Sequence, residues 1–84
     1  MMEIKPSTRK GKKYMASVGG KWIHFGATGY EQYFDSTGLG VFTDDNHLDE
    51  DRRKRWYQRH GPSIKAALKK RTVTPVILSA YFLW

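Results

Sequence analysis

Basic and aromatic side chains are interleaved in one short segment, residues 49–60, which reads DEDRRKRWYQRH. Arginine and lysine donate charge-assisted hydrogen bonds to phosphate oxygens, and aromatic rings can stack on nucleic-acid bases. At helical spacing, Arg52, Arg55 and Arg59 form one stripe that could follow a phosphate backbone. The chemistry that this segment best suits is therefore the binding of a polyanion.

Charge is segregated along the 84-residue chain, whose formal net charge is +7. Residues 1–21 hold six bases and one acid, residues 22–51 hold seven acids and no lysine or arginine, and residues 52–71 hold nine bases and no acid. This pattern favours a functional basic face, and the alternative is a dipolar protein whose acidic loop folds back onto its own basic helix. The residues predicted to contact nucleic acid are Arg9, Lys10, Lys12, Lys13, Arg52, Lys54, Arg55, Arg59, Lys65, Lys69 and Lys70.

Other kinds of chemistry find little support in the sequence. There is no cysteine, so thiolate chemistry is excluded, and the glycines of GATG and GLG do not follow a long buried strand as a dinucleotide-binding loop requires. The candidate metal ligands are His24, His47, His60, Asp44 and Asp45. None of their spacings matches a known ligand motif. We therefore expect no catalytic residue, no metal, no cofactor and no enzymatic activity.

The basic stripe requires a helix over residues 50–60. Asp49 is a natural N-cap, and acidic residues in the first turn complement the helix dipole. Gly61 and Pro62 are typical of a helix end. The most economical arrangement buries Trp56 and Tyr57 on a neighbouring hairpin and leaves the arginines outside.

The N-terminal half predicts a basic arm and a β-hairpin. Residues 1–11 are interpreted as a flexible basic arm, and residues 12–84 as a single α+β domain. Alternating side chains predict strands at 12–18 and 21–25, joined by a Gly-Gly turn. Residues 26–46 are rich in glycine and aromatic residues, which predicts an ordered loop over the hairpin, with GYEQYF as a possible short third strand.

The C-terminal part predicts two more helices. Ser63 could cap a short helix over IKAALKKR, and Thr74 with Pro75 begins a last helix that is apolar on nearly every side. It is too short to span a bilayer, so its apolar surface is interpreted as core, as an interface, or as both. Self-association or docking to another protein would use residues 75–84. The predicted interface residues are Ile77, Tyr81, Phe82 and Trp84.

These elements together predict a small single-domain α+β fold, an N-terminal β-hairpin packed against two or three short helices. In a domain of this size Trp22, Trp56 and Trp84 are expected to be core residues rather than stacking platforms. Composition is equally compatible with DNA and RNA, with single and double strands, and with an acidic protein surface as partner of the basic face.

Four separated motifs occur in order along residues 12–84: KWIHFG, GYEQYFDSTG, HLDEDRRKRWYQRHG and the closing LW. On these motifs the chain resembles the dinoflagellate/viral nucleoprotein family, which comprises basic proteins of dinoflagellate nuclei and large DNA viruses. The resemblance implies non-specific DNA binding and compaction, in a virion, a host nucleus or a viral factory. Family members usually carry a long basic N-terminal tail, and the short arm here leaves open an alternative role as a minor capsid or cementing protein.

Overall fold

The structure is a computed structural model that describes residues 2–84. Three strands precede two helices, and a short 3-10 helix lies between them. In chain order the elements are β1 (Ile4–Pro6), β2 (Lys12–Val18), β3 (Lys21–Ala27), the 3-10 helix (Thr43–Asp45), α1 (Glu50–Lys69) and α2 (Pro75–Phe82). The predicted single-domain α+β class is confirmed. Neither helix combines the length and apolar character needed to cross a membrane in the part of the chain that the structure describes.

The predicted hairpin is formed by β2 and β3. The strands are antiparallel with Tyr14 opposite Phe25, and the turn glycines Gly19 and Gly20 both have positive φ, 55° and 80°. Two successive positive φ angles match the right-handed twist of the strands and are readily adopted only by glycine. The predicted bounds of β2 are confirmed, whereas β3 extends beyond the predicted residue 25 to Ala27.

A third strand, β1, lies within the segment predicted as a flexible arm. It pairs antiparallel with β2, with Ile4 opposite Ala16, so the sheet order is β1-β2-β3. The Ile4 side chain packs on the core, and this burial explains why the segment is ordered despite its charge. Arg9 lies in the turn that leads to β2. Met1, the first residue of the predicted arm, lies outside the described residues.

The core lies between one face of the sheet and α2. Tyr14, Ala16 and Phe25 come from the sheet, and Leu78 and Leu83 come from the region of α2. The Tyr14 hydroxyl donates a hydrogen bond to Asp35, and burial raises the pKa of Tyr14 to about 12. This phenol therefore stays neutral and serves as a buried donor.

Gly26 permits a close approach between the sheet and α2. Its φ is +77°, and a Cβ at this position would lie 3.0 Å from Leu83 Cδ1 and 3.2 Å from Lys13 Cβ. Only glycine combines this backbone conformation with the absence of a clashing Cβ.

Helix α1 packs on α2 rather than on the hairpin, which corrects the predicted location of Trp56 and Tyr57. The Trp56 ring is buried and stacks on that of Trp84, with centroids 5.1 Å apart and an interplanar angle of 8°. The Tyr57 hydroxyl donates to the Ala80 carbonyl at 3.1 Å. Trp22 also differs from its prediction, because it is 40% exposed and lies beneath the Lys5 ammonium.

Helix α1 continues through Gly61 and Pro62, so the predicted helix end and the predicted separate helix from Ser63 were wrong. Gly61 does not adopt the positive φ of a C-cap, and Pro62 is exposed, so the carbonyl that loses its N–H partner can remain hydrated. The helix ends where Arg71 adopts φ 54° and the Thr72 N–H donates to the Ala67 carbonyl at 3.0 Å. This is the usual C-terminal geometry, with arginine in place of glycine.

The predicted third strand at GYEQYF is absent, since Gln32 forms only an isolated bridge with Asn46. The segment is nevertheless ordered and packs against the hairpin, as predicted. Gln32 and Asp35 are buried, and the Asn46 side-chain oxygen accepts hydrogen bonds from the Gln32 amide at 3.0 Å and the Asp35 N–H at 2.8 Å. Because its polar groups are satisfied locally, the segment needs no strand ladder to stay folded.

Because Trp56 joins the two helices, Trp56→Ala is expected to lower the free energy of unfolding by about 3–5 kcal/mol. Chemical denaturation would measure the loss. The matched control is Leu68→Ala on the same helix, where the side chain is 65% exposed and the expected change is within about 0.5 kcal/mol. Equal costs for the two variants would contradict the docking of α1 on α2.

Candidate nucleic-acid interface

The N-terminus of α1 is capped as predicted, which holds the basic stripe in register. Asp49 Oδ1 accepts hydrogen bonds from the backbone N–H groups of Asp51 at 3.0 Å and Arg52 at 3.2 Å. The bond from Arg52 is the main reason that the pKa of Asp49 lies below its ordinary value. The cap therefore remains ionised at neutral pH and fixes where the helix begins.

Most of the predicted basic residues are exposed and have no ionic partner. Within residues 2–84, no carboxylate lies within 4.0 Å of their side-chain nitrogens. Unpaired and hydrated cations of this kind can bind phosphate without first breaking an internal ion pair. The residues in this group are Arg9, Lys10, Lys54, Arg55, Arg59, Lys65, Lys69 and Lys70.

Lys13 is buried, which corrects its predicted role in phosphate binding. Its side chain is 2% exposed, and its ammonium donates to the Tyr30 carbonyl and to Gln32 Oε1, each at 2.6 Å. The Asp45 carboxylate lies 3.3 Å away. A charge held by three internal acceptors anchors the connecting segment, residues 28–49 between β3 and α1, to β2 and cannot reach a phosphate. Its neighbour Lys12 is only half-buried, and its role in phosphate binding stays a prediction.

Within residues 2–84, two ion pairs join the acidic residues 22–51 to the arginines of α1, and one of the two lies within the helix itself. Arg52 Nη1 donates to Glu31 Oε1 at 2.9 Å, and Arg53 Nη1 lies 3.8 Å from Glu50 Oε2. The Arg53 Nε also donates to the main-chain oxygen of Trp84 at 2.7 Å. Internal pairing therefore occupies the half-exposed Arg52 and Arg53, and the other basic residues of α1 have no carboxylate partner within residues 2–84.

A cleft of about 440 Å³ lies between the end of the hairpin and α1. Lys12 and Ala27 line it from the sheet, and Arg52 and Arg59 line it from α1. Its other lining residues include Val76 and Leu83, as well as Trp56, Trp84 and His60. Cationic side chains therefore line the cleft from both the sheet and α1, and the rest of its surface is partly apolar. This combination suits an anionic ligand with a flat organic part.

The candidate metal ligands are dispersed. His24 Nδ1 lies 2.6 Å from Ser7 Oγ, His47 lies between the Tyr33 and Trp84 rings, and His60 lies against Trp56. Across residues 2–84, no group of three or more histidine, aspartate or glutamate residues is placed to hold a metal ion.

The four predicted interface residues have different environments. Phe82 stacks on Phe25 with centroids 5.8 Å apart, Trp84 stacks on Trp56, and Ile77 is half-buried. Tyr81, in contrast, is 77% exposed. The helix thus uses most of its apolar surface inside this chain, and Tyr81 is the member of the set that remains on the surface.

Two surface residues near the basic helix were not predicted. Tyr30, 72% exposed, and Glu31 both line the cleft. Nothing local in the sequence distinguishes them, because their proximity to α1 depends on how the connecting segment folds. The approach of Glu31 to Arg52 spans 21 residues of chain.

Residues 2–37 match a family of unknown function, DUF5754. The match includes β1, β2 and β3 and ends before α1 begins. No curated protein and no solved structure matches the chain.

The contrast between Lys12 and Lys13 can be measured. Lys13→Met keeps the apolar stem but leaves three acceptors, including the buried Gln32 Oε1, without their cation, so it is expected to lower the free energy of unfolding by about 2–4 kcal/mol. Lys12→Met should change it by less than about 0.5 kcal/mol. Urea denaturation of both variants is the measurement, and a neutral Lys13→Met would contradict the anchoring role.

Two histidines make stability depend on pH. Burial lowers the pKa of His47 and that of His60 below the ordinary 6.5, and the Arg52 and Arg59 charges act in the same direction. His47 Nδ1 also accepts the Asp49 N–H at 2.9 Å, which requires an unprotonated nitrogen. Below pH 6.5 the unfolded chain therefore binds more protons than the folded one.

The free energy of unfolding is accordingly expected to fall as pH decreases below about 6.5, and to keep falling until the lower folded pKa values are reached. Denaturation at several pH values between about 7.5 and 5.5 would measure this. The double variant His47→Gln/His60→Gln should have a flatter profile in the same range. A parent profile as flat as that of the double variant would contradict the assignment.

Proposed function

We propose that this protein binds nucleic acid through the outer face of α1, without sequence readout, as a DNA-coating or DNA-packaging nucleoprotein. The observation that carries the proposal is the row of exposed lysines and arginines along α1 that have no carboxylate partner within residues 2–84. A helix of 20 residues is about 30 Å long, close to one turn of duplex DNA. Its cations can therefore contact several phosphates along one groove.

The sequence resemblance supports the choice of DNA as partner. The motifs on which the chain resembles the dinoflagellate/viral nucleoprotein family include residues 47–61, which contain the first half of α1. A virion, a host nucleus or a viral factory is the setting that this resemblance implies. Phosphate contacts position a protein on DNA but do not depend on the identity of the bases.

Affinity for a random-sequence duplex should fall steeply with salt. If about five side chains meet phosphates, the slope of log affinity against log salt concentration is expected to be roughly −4 to −5. Fluorescence anisotropy between about 50 and 200 mM salt would measure it. The double variant Arg55→Glu/Arg59→Glu should bind at least about tenfold more weakly and lose about two units of slope.

The matched control is Lys5→Glu/Lys21→Glu, which makes the same change in net charge on the sheet, in β1 and β3. Its affinity should fall less than that of the α1 variant, because only α1 is proposed to meet the duplex. Equal losses for the two double variants would show that net charge alone drives binding. Absence of binding at low salt would overturn the proposal.

The exposed Tyr81 favours a second candidate function, a minor capsid or cementing role in which the C-terminal helix docks on another virion protein. Phe34 is a second exposed aromatic side chain, 49% exposed, and its backbone N–H donates to the carbonyl of Leu83, the C-cap of α2, at 3.1 Å. This function predicts that Tyr81→Ala impairs virion assembly while Arg55→Glu/Arg59→Glu does not. The nucleoprotein function predicts the reverse.

A further inference from the structure

The cleft beside α1 differs chemically from the outer basic face. The outer face is open and polar, whereas the cleft sets cationic side chains around apolar surface contributed by Ala27, Pro75 and Val76. Its volume, about 440 Å³, lies in the range of sites for small organic molecules, roughly 300–1,000 Å³. It is therefore large enough for a single ring system with an anionic group and too small for a base pair with its backbone.

We propose that this cleft binds one unpaired nucleotide, with the phosphate held between Lys12 and Arg59 and the base against the apolar surface. The inference rests on the proposed function, because it gives the nucleic-acid-binding protein a second site for an unstacked base. Both cations line the cleft, and neither has a carboxylate within 4.0 Å in the described part of the chain. A phosphate there would gain two charge-assisted partners without breaking an ion pair.

The tryptophans of the cleft are a fixed surface rather than an open stacking platform. Trp56 is 7% exposed, and the Trp56 and Trp84 rings already stack on each other. Tyr30 is 72% exposed and lines the same cleft, so its ring is free to cover a base from the solvent side. The binding mode is therefore insertion beneath Tyr30, and any of the common bases would be accepted.

Glu31 limits the affinity of this site. Its side chain is the only acidic one among the described residues that line the cleft, and it accepts a hydrogen bond from the Arg52 guanidinium at 2.9 Å. A phosphate in the cleft would face this carboxylate, and Arg52 cannot turn fully towards the phosphate while it is paired. Removing the carboxylate should therefore strengthen binding.

The experiment is a titration of thymidine monophosphate into the full-length, nitrogen-15-labelled protein, followed by NMR. Saturable shifts are expected at the Trp84 indole and at the Ala27 and Val76 amides. Thymidine, which lacks the phosphate, and deoxyribose 5-phosphate, which lacks the base, should each bind at least about tenfold more weakly. Equal affinity for deoxyribose 5-phosphate and the nucleotide would overturn the proposal, since the base would then make no contact.

Matched variants test the location. Arg59→Ala removes a cation that lines the cleft. Arg55→Ala removes a cation one helical turn away, which does not line the cleft. Thymidine monophosphate binding should fall about tenfold in the first and less than twofold in the second, and Glu31→Gln should increase it several-fold. Equal effects of the two arginine variants would overturn the proposed location.

Two further measurements complete the experiment. One distinguishes binding of a free nucleotide from binding of a nucleotide within a strand. The other distinguishes failure of this inference from failure of the proposed function. A short thymidine oligonucleotide should bind more tightly than the monophosphate and shift the same resonances if the natural ligand is a strand. Tighter binding of the monophosphate would overturn insertion of a strand. Salt-dependent duplex binding with no nucleotide shifts would overturn the cleft site while leaving the proposed function intact.

Discussion

The two-sided burial of α2 is the constraint on which the rest of the structure depends. The helix covers β3 through the Phe25–Phe82 ring stack, and α1 packs on its other side, beside the stack between Trp56 and Trp84 that follows the end of α2. An 84-residue chain has little apolar surface to spare, so a single helix shared by two contacts is an efficient core. Without it, α1 would have no fixed orientation relative to the sheet.

That arrangement also separates the basic residues into two groups. Arg52 and Arg53 lie on the side of α1 near the connecting segment and α2, where Glu31, Glu50 and the Trp84 main-chain oxygen satisfy them. Arg55, Arg59 and the lysines farther along α1 face solvent. Mutual repulsion among them costs stability in the free protein, and a polyanion would relieve it.

Part of this organisation could be predicted because it depends on neighbouring residues. The Gly-Gly turn, the alternation of β2, the Asp49 cap and the Thr74–Pro75 start of α2 are local signals, and each lies where the sequence indicates. The spacing of Arg55 and Arg59 likewise required only helical periodicity. Recognition of α1 as one helix failed because Gly61 and Pro62 are strong local stop signals, whereas the helix continues through both and buries Ala67 in its second half.

The sequence by itself therefore determined the hairpin, the helix starts and the charge segregation, since turn chemistry, capping and periodicity act within a few residues. Only the tertiary structure decided that β1 joins the sheet, that Lys13 is buried while Lys12 is not, and that Glu31 meets Arg52. These features depend on contacts between segments far apart in the chain, and burial of a charge depends on which acceptors the fold brings around it. The cleft also depends on the tertiary structure, because its walls come from β2, β3, the connecting segment and both helices.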